Sequence, residues 1–416
     1  MTGKFLVPSL LLALIQPAFA ADLPTHPAGE PIAAESPAPT EPKPIPAKWY
    51  DRINLRGYTQ FRFNRIGNPD ALLVSPQGDK AIGGSNGFSI RRARLVFSGD
   101  ITENISIYIQ PDLASTPDYA SSGQNATNFL QLRDLYGDIF LDPAKQFRFR
   151  LGQSKVPFGF ENVQSSQNRL ALDRNDALNS AVRDERELGV FFYWTPAEIR
   201  HRFKYLVDSG LKGSGDYGVL GLGIYNGQNA NRPDQNRNLH SVARLTYPYQ
   251  FGNGQVVEAS LQAYTGRFTV ATAPISGFAT SITGGEFKDE RWAASLIVYP
   301  QPLGFQAEYT AGRGPRLNGA LNAVEVGDLQ GGYAQVMYKY NNLIPFVRTQ
   351  YYKGGRKHDV NAIYQDLRET EIGVEWEPIK ALELTGMYTW TDRNVKDAPF
   401  GRISGNLIRL QAQLNY

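Results

Sequence analysis

Cysteine is absent from the 416-residue chain, and histidine is scarce, with four residues at 26, 201, 240 and 358. The first absence excludes a disulfide scaffold, a Cys-ligated zinc site, an iron–sulfur cluster and thiol catalysis together. The second leaves little for a multi-histidine metal site, because the four lie far apart in sequence. No metal and no cofactor is expected. Excess charge is lacking too: 43 basic against 40 acidic side chains give +3. Nucleic acid is therefore not indicated as a partner. Beyond the first twenty residues no apolar run approaches the ~18–20 residues of a membrane helix. That does not remove the membrane, because a closed β-barrel also satisfies every backbone group in lipid. What the chain does have is 22 Tyr, 22 Phe and 40 Gly at a mean hydropathy of −0.37. Such a balance suits many aromatic-rich strands that are not continuously hydrophobic.

The first twenty residues read as a secretory signal peptide. Lys4 supplies the charge, Phe5 to Ile15 the apolar stretch, and Ala18-Phe19-Ala20 a small-residue cleavage site. Residues 21–49 follow as a tether with eight prolines between Pro24 and Pro46. Proline fixes φ and removes ladder donors, so an extended periplasmic spacer is expected, with contact to the cell wall as the alternative.

From residue 50 to the end, one domain of alternating strands is expected. Leu55, Gly57, Thr59, Phe61 and Phe63 fall on one face of the first strand, and Arg56, Tyr58, Gln60 and Arg62 on the other. The same count predicts strands at 54–66, 87–100, 104–113, 129–141, 145–155, 186–195, 216–226 and 238–248. Eight more follow at 254–267, 287–299, 303–312, 330–340, 344–353, 366–377, 380–391 and 403–416. Sixteen strands of about ten residues suit a tilted crossing of the hydrocarbon. The connections alternate between short turns and long loops, the long ones at 67–86, 114–128, 156–185, 227–237, 268–286, 313–329, 354–365 and 392–402. That sorting predicts an all-β, sixteen-stranded antiparallel barrel in the bacterial outer membrane, its outward face against lipid. One short-side connection departs from the rule. Thr195-Pro196-Ala197-Glu198 has capping-box spacing, and Ile199, Phe203, Leu206 and Val207 recur at helical intervals up to Gly210. A periplasmic helix is predicted at 196–208.

Two catalytic-looking motifs fail on context. Gly83-Gly84-Ser85-Asn86-Gly87 matches G-x-S-x-G but ends a loop and opens a strand, the reverse of a nucleophile elbow. Gly213 to Gly218 matches G-x-G-x-x-G without the strand-then-helix order of a dinucleotide site. An outer-membrane enzyme would need a nucleophile beside a base. His240 is an inward residue with no serine paired to it, so no catalytic residue is assigned. A soluble glycan-binding β protein is the third class, and the loop sorting argues against it.

Turning the polar face inward places Arg56, Arg62, Arg92, Arg94, Arg148, Arg150, Arg244, Arg348 and Arg409 in the lumen. The acids there are Asp112, Asp134, Asp138, Glu258, Glu308, Glu369, Glu371, Glu375 and Glu383. The arginines concentrate on strands one to five and the acids on strands nine to fifteen. A basic wall therefore faces an acidic one, and such fixed charge sets which ions enter a pore. The loop 156–185 carries Leu170, Ala171, Leu172, Ala177 and Leu178, too apolar for free solution. It is expected to fold into the barrel and narrow it.

Gly152-Gln153-Ser154-Lys155-Val156-Pro157-Phe158-Gly159-Phe160-Glu161-Asn162, then Ser165-Ser166 and Asp173-Arg174-Asn175, resembles the constriction segment of the phosphate-selective porin O/P family. Phe88 to Arg94 resembles that family's double-arginine strand, Leu132 to Tyr136 its aspartate strand, and the aromatic C-terminus outer-membrane barrels generally. The resemblance spans residues 54–416. It implies a homotrimer whose constriction loop holds phosphate or other small anions with a lysine, an arginine and serine hydroxyls. By position, Arg174 matches the arginine, Ser165 and Ser166 the serines, Asp134 the aspartate, and Arg92 the inward member of the arginine pair. Asn162 stands where the lysine should be, and an amide donates hydrogen bonds without charge. The expectation is an outer-membrane diffusion channel that prefers anions, with a general, weakly selective porin as the alternative.

Overall fold

The computed structural model describes residues 48–67, 87–113, 130–274, 285–320, 323–395 and 401–416. The predicted signal peptide, nearly all of the tether, and residues 83–86 of the G-x-S-x-G motif lie outside the described residues. Sixteen strands close into one antiparallel barrel, each paired with its sequence neighbours and the last with the first. The first eight are β1 Ile53–Ile66, β2 Gly87–Asp100, β3 Ile105–Asp112, β4 Gln131–Phe140, β5 Phe147–Lys155, β6 Arg186–Trp194, β7 Leu220–Tyr225 and β8 His240–Gln250. The others are β9 Val256–Val270, β10 Gly285–Val298, β11 Leu303–Asn318, β12 Ala323–Tyr338, β13 Leu343–Gly355, β14 Tyr364–Ile379, β15 Leu382–Val395 and β16 Gly401–Asn415. The sidedness is that of a barrel in lipid. Leu245, Tyr247 and Tyr249 of β8 are exposed, whereas His240, Val242, Arg244 and Thr246 are buried in the lumen.

The seam between β1 and β16 depends on one close approach. The Gly57 N–H donates to the Tyr416 carbonyl at 2.6 Å, and Tyr416 N–H returns to the Gly57 carbonyl at 3.0 Å. A Cβ on residue 57 would stand 2.4 Å from the Tyr416 ring and 2.6 Å from the Arg94 carbonyl. Gly57→Leu is therefore expected to cost at least about 1–3 kcal/mol by overpacking. The check is the compact, heat-modifiable band in unboiled detergent gels. A variant band as strong and as heat-resistant as the wild type would refute the role of the seam.

Two bulges break the alternation where charge gathers. Between β1 and β2 the register passes from Gln60↔Arg92 to Phe61↔Ile90, leaving Arg91 as the extra residue. Between β3 and β4 it passes from Gln110↔Asp134 to Pro111↔Leu132, leaving Arg133 over. A bulge suspends the period of two, so adjacent Arg91 and Arg92, and adjacent Arg133 and Asp134, are all buried.

Three sequence expectations need correction. Residues 313–329 are not a long loop, since β11 continues to Asn318 and β12 begins at Ala323. Leu317 and Val324 of this hairpin are buried against Phe268, Val270 and Ala362, and its other face carries cross-strand pairs such as Arg316–Glu325 at 2.9 Å, which interrupt the apolar signal. The strand predicted at 216–226 is only β7, because Asp216 is held by Arg148 and Thr195, and Gly218 turns at φ +81°. The helix α3 spans Ala197–Asp208 but lacks the capping box. Pro196 is its N-cap, and the Thr195 hydroxyl donates to Asp216 at 2.7 Å instead. Its end is as the sequence suggests. Gly210 at φ +65° donates to Val207 and Leu211 to Leu206, a Schellman closure.

Candidate pore constriction

The connection from β5 to β6 fills the middle of the lumen. It holds two short helices, α1 at Phe160–Val163 and α2 at Asp176–Ala181. Apolar contacts seat both its ends on one side of the barrel and its middle on the other. Val156, Phe158, Leu178, Ala181 and Val182 pack on Phe191, Tyr193, Tyr225, Val242, Tyr264 and Ala293 of β6–β10. Leu170, Ala171 and Leu172 reach Met337, Ile344, Phe346 and Met387 across the barrel. Each buried leucine contributes about 1.5–3 kcal/mol, so the loop is a packed element.

The three residues Asp173-Arg174-Asn175 divide the polar work. Asp173 faces the arginine wall, paired with Arg62 at 3.2 Å and with Arg409. Burial alone would raise its carboxyl, but Arg409, Arg62 and Arg91 outweigh burial and hold it well below the usual range. Arg174, with no exposed surface, donates to the Asn162 Oδ1 at 2.7 Å and to the carbonyls of Val182 at 2.9 Å and Arg183 at 2.6 Å. Asn175 caps α2, its side chain accepting from Leu178 N–H at 3.0 Å. Its own backbone and side-chain nitrogens donate to Glu161 at 2.7 and 2.8 Å.

The other expected residues form two adjoining networks. Asn162, also without exposed surface, donates to Val156 and Glu185 carbonyls while accepting from Arg174. Glu185 binds Arg169 and Arg186, and Arg186 holds Asp134 at 2.9 Å. Burial would raise the Glu185 carboxyl, yet Arg169, Arg186 and Lys155 keep it well below its usual range. In the second network the Ser166 hydroxyl meets the Tyr58 hydroxyl at 2.6 Å and accepts from Arg94 at 3.0 Å. Arg94 also binds Asp112 at 2.7 Å, and Arg92 donates to Gln60 at 2.8 Å. Ser165 is half-buried beside this group. Lower on the wall, Arg150 binds Asp138 through two bonds of 2.8 Å, and Arg148 binds Asp216 at 2.7 Å. Arg56 is exposed at the short-turn end.

Several site residues escaped sequence reasoning. Arg91 and Arg133 were hidden by the bulges. Glu185 and Arg186 sit where a loop becomes a strand and no period is readable. A lysine does lie under the loop, but at 155, where it donates to the Gln164 carbonyl at 2.6 Å. His240 contacts the Arg267 carbonyl at 3.1 Å and stacks on Tyr264, a wall contact with no serine in it.

A family model described as "Phosphate-selective porin O and P" matches residues 74–416. No curated sequence matches the chain. Among solved structures, the chain resembles OmpF of Salmonella typhi in complex with daunomycin, with a TM-score of 0.55 at 12% identity, covering 88% of this chain and 98% of that one. The channel DcaP of Acinetobacter baumannii gives 0.52 at 14% identity, covering 88% and 97%. OmpT of Vibrio cholerae in its trimer form gives 0.51 at 10% identity, covering 88% and 99%. At such identities these likenesses show the fold.

Proposed function

Because the chain belongs to the phosphate-selective porin O and P family, an integral outer-membrane channel, we propose that it passes small hydrophilic solutes with a preference for anions, phosphate among them. The observation that carries this reading is the arginine wall: Arg409, Arg62, Arg91, Arg92, Arg94, Arg133 and Arg186 all turn into the lumen on β16, β1, β2, β4 and β6. Removing an ion's hydration in a narrow passage is costly unless fixed opposite charge offsets it. In this reading Ser165, Ser166, Arg92 and Arg94 face the permeating ion. Arg174 and Asn162 act by holding the shape of the loop, and Arg56 attracts anions at the short-turn mouth. A homotrimer is the proposed assembly, as the family resemblance implies and as the similar OmpT trimer illustrates.

One observation favours the milder alternative of a general, weakly selective porin. Asp112, Asp134 and Asp138 are bound to Arg94, Arg186 and Arg150, which neutralises part of the wall. The deciding experiment is the reversal potential of purified protein in a potassium chloride gradient, with phosphate added as a competitor. Modest anion preference and weak phosphate block are expected. Cation selectivity would replace the anion reading with the general porin.

A further inference from the structure

Among the described residues, the β6–β7 connection is the second segment to cross the lumen. After α3 the chain does not return along the rim. Leu211, Lys212, Gly213 and Ser214 are buried, and the Gln164 side chain of the constriction loop donates to the Lys212 carbonyl at 2.7 Å. The Lys212 ammonium lies 2.5 Å from Glu375 and 3.7 Å from Glu383, on β14 and β15. In a closed ring of sixteen strands β14 stands eight strands from β6, so this contact is made on the opposite wall. Lys339, in the β12–β13 turn, donates to the carbonyls of Ser209 at 2.8 Å and Gly210 at 3.2 Å and supports the same span. Burial works against the Lys212 charge, but Glu375 and Glu383 outweigh it and raise its pKa above the ordinary lysine value.

Each crossing segment thus ends in a charge opposite to the wall it reaches. The constriction loop brings Asp173 to arginines, and the lower connection brings Lys212 to glutamates. We propose that residues 209–217 form a second constriction on the periplasmic side, and that Lys212 is the latch that keeps it across the pore. Ion flow through the barrel is then limited twice, once at the mid-lumen loop and once at the exit. This holds whichever ion the channel prefers.

The absence of native cysteine makes the latch directly testable. In planar bilayers, Lys212→Cys is expected to raise unitary conductance by about twofold or more, because the exit is no longer held across the lumen. Treating that same protein with methanethiosulfonate ethylammonium rebuilds a cationic side chain of similar length, and conductance should fall back toward the wild type. A neutral methanethiosulfonate of similar size should not reproduce the fall. If the cysteine variant proves unable to assemble, judged by its heat-modifiable band, Glu375→Gln combined with Glu383→Gln breaks the latch from the other wall and should raise conductance likewise. Wild-type conductance in an assembled variant, or equal recovery with the neutral reagent, would overturn the proposal.

Discussion

Asp173→Asn is expected to raise unitary conductance several-fold and to lower the stability of the folded barrel by about 3–5 kcal/mol. The carboxylate binds Arg62 and Arg409, and all three side chains are nearly solvent-free. Arg348 also donates to the Asp173 carbonyl at 2.9 Å, so this residue fastens the loop to β1, β13 and β16 at once. An amide matches the carboxylate in shape but leaves two buried guanidinium groups without their counter-charge. Asp208→Asn serves as the contrast. It removes an exposed partner of Lys204 on α3, and should change stability by no more than about 0.5 kcal/mol. Conductance and the heat-modification midpoint, measured on both variants, separate a constriction fastener from general charge loss.

Acid gives an independent reading of the same group. The Asp173 pKa is depressed in the folded state, so its stabilisation is fully present above the unfolded value of ~3.9 and is lost as pH falls through the folded value. Wild-type conductance should therefore stay on its closed-loop level as pH is lowered from 7 to about 4. A rise near pH 5 that is seen in the wild type and lost in Asp173→Asn would mean that Asp173 is not the fastener. A rise shared by both belongs to another carboxylate that holds the loop, such as Glu308 of β11, which accepts from the Phe160 N–H.

The strands were legible because lipid imposes a rule on them. Leu245, Tyr247 and Tyr249 must be apolar where they meet hydrocarbon, so the period of two survives in the sequence without any knowledge of the fold. Where lipid stops, the rule stops: Arg313 to Asn318 continue the strand with Gly314, Pro315 and charged residues that read as loop, although Leu317 is buried against Phe268 and Val270. The lumen was legible only in part. Alternation placed Arg62, Arg92, Arg94 and Arg409 correctly inside, but it cannot express two successive inward residues, which is what the bulges at Arg91 and Arg133 create. Motif resemblance singled out residues 156–185 without revealing which of their groups are engaged internally. Arg174 and Asn162 look like ion contacts in sequence, yet their bonds close on the loop itself, a fact that depends on how residues 156–185 fold back. Lys212 carried no signal at all, since its partners lie more than 160 residues away in β14 and β15.

Asn162→Lys is the substitution for which the resemblance and the packing give opposite expectations. Restoring the family's lysine suggests stronger anion binding. In the structure, however, residue 162 has no exposed surface, and its Oδ1 lies 2.7 Å from the Arg174 guanidinium. A lysine there brings a second cation against the first, removes the acceptor that Arg174 uses, and surrenders the amide bonds to Val156 and Glu185. Glu185, already shared by Arg169 and Arg186, cannot offset another charge at low cost. A loss of about 3–5 kcal/mol follows from an unpaired buried charge, enough to reduce assembled protein sharply. Arg174→Ala should be nearly as severe, because Asn162 and the Val182 and Arg183 carbonyls lose their donor. Ser165→Ala, at the half-buried edge, should leave assembly intact and alter only the current. The measurement is the fraction of heat-modifiable protein in purified outer membranes, followed by reversal potential on whatever assembles. Fully assembled Asn162→Lys protein with increased anion preference would return residue 162 to direct contact with the permeating ion, and with it the reading that Arg174 faces that ion too.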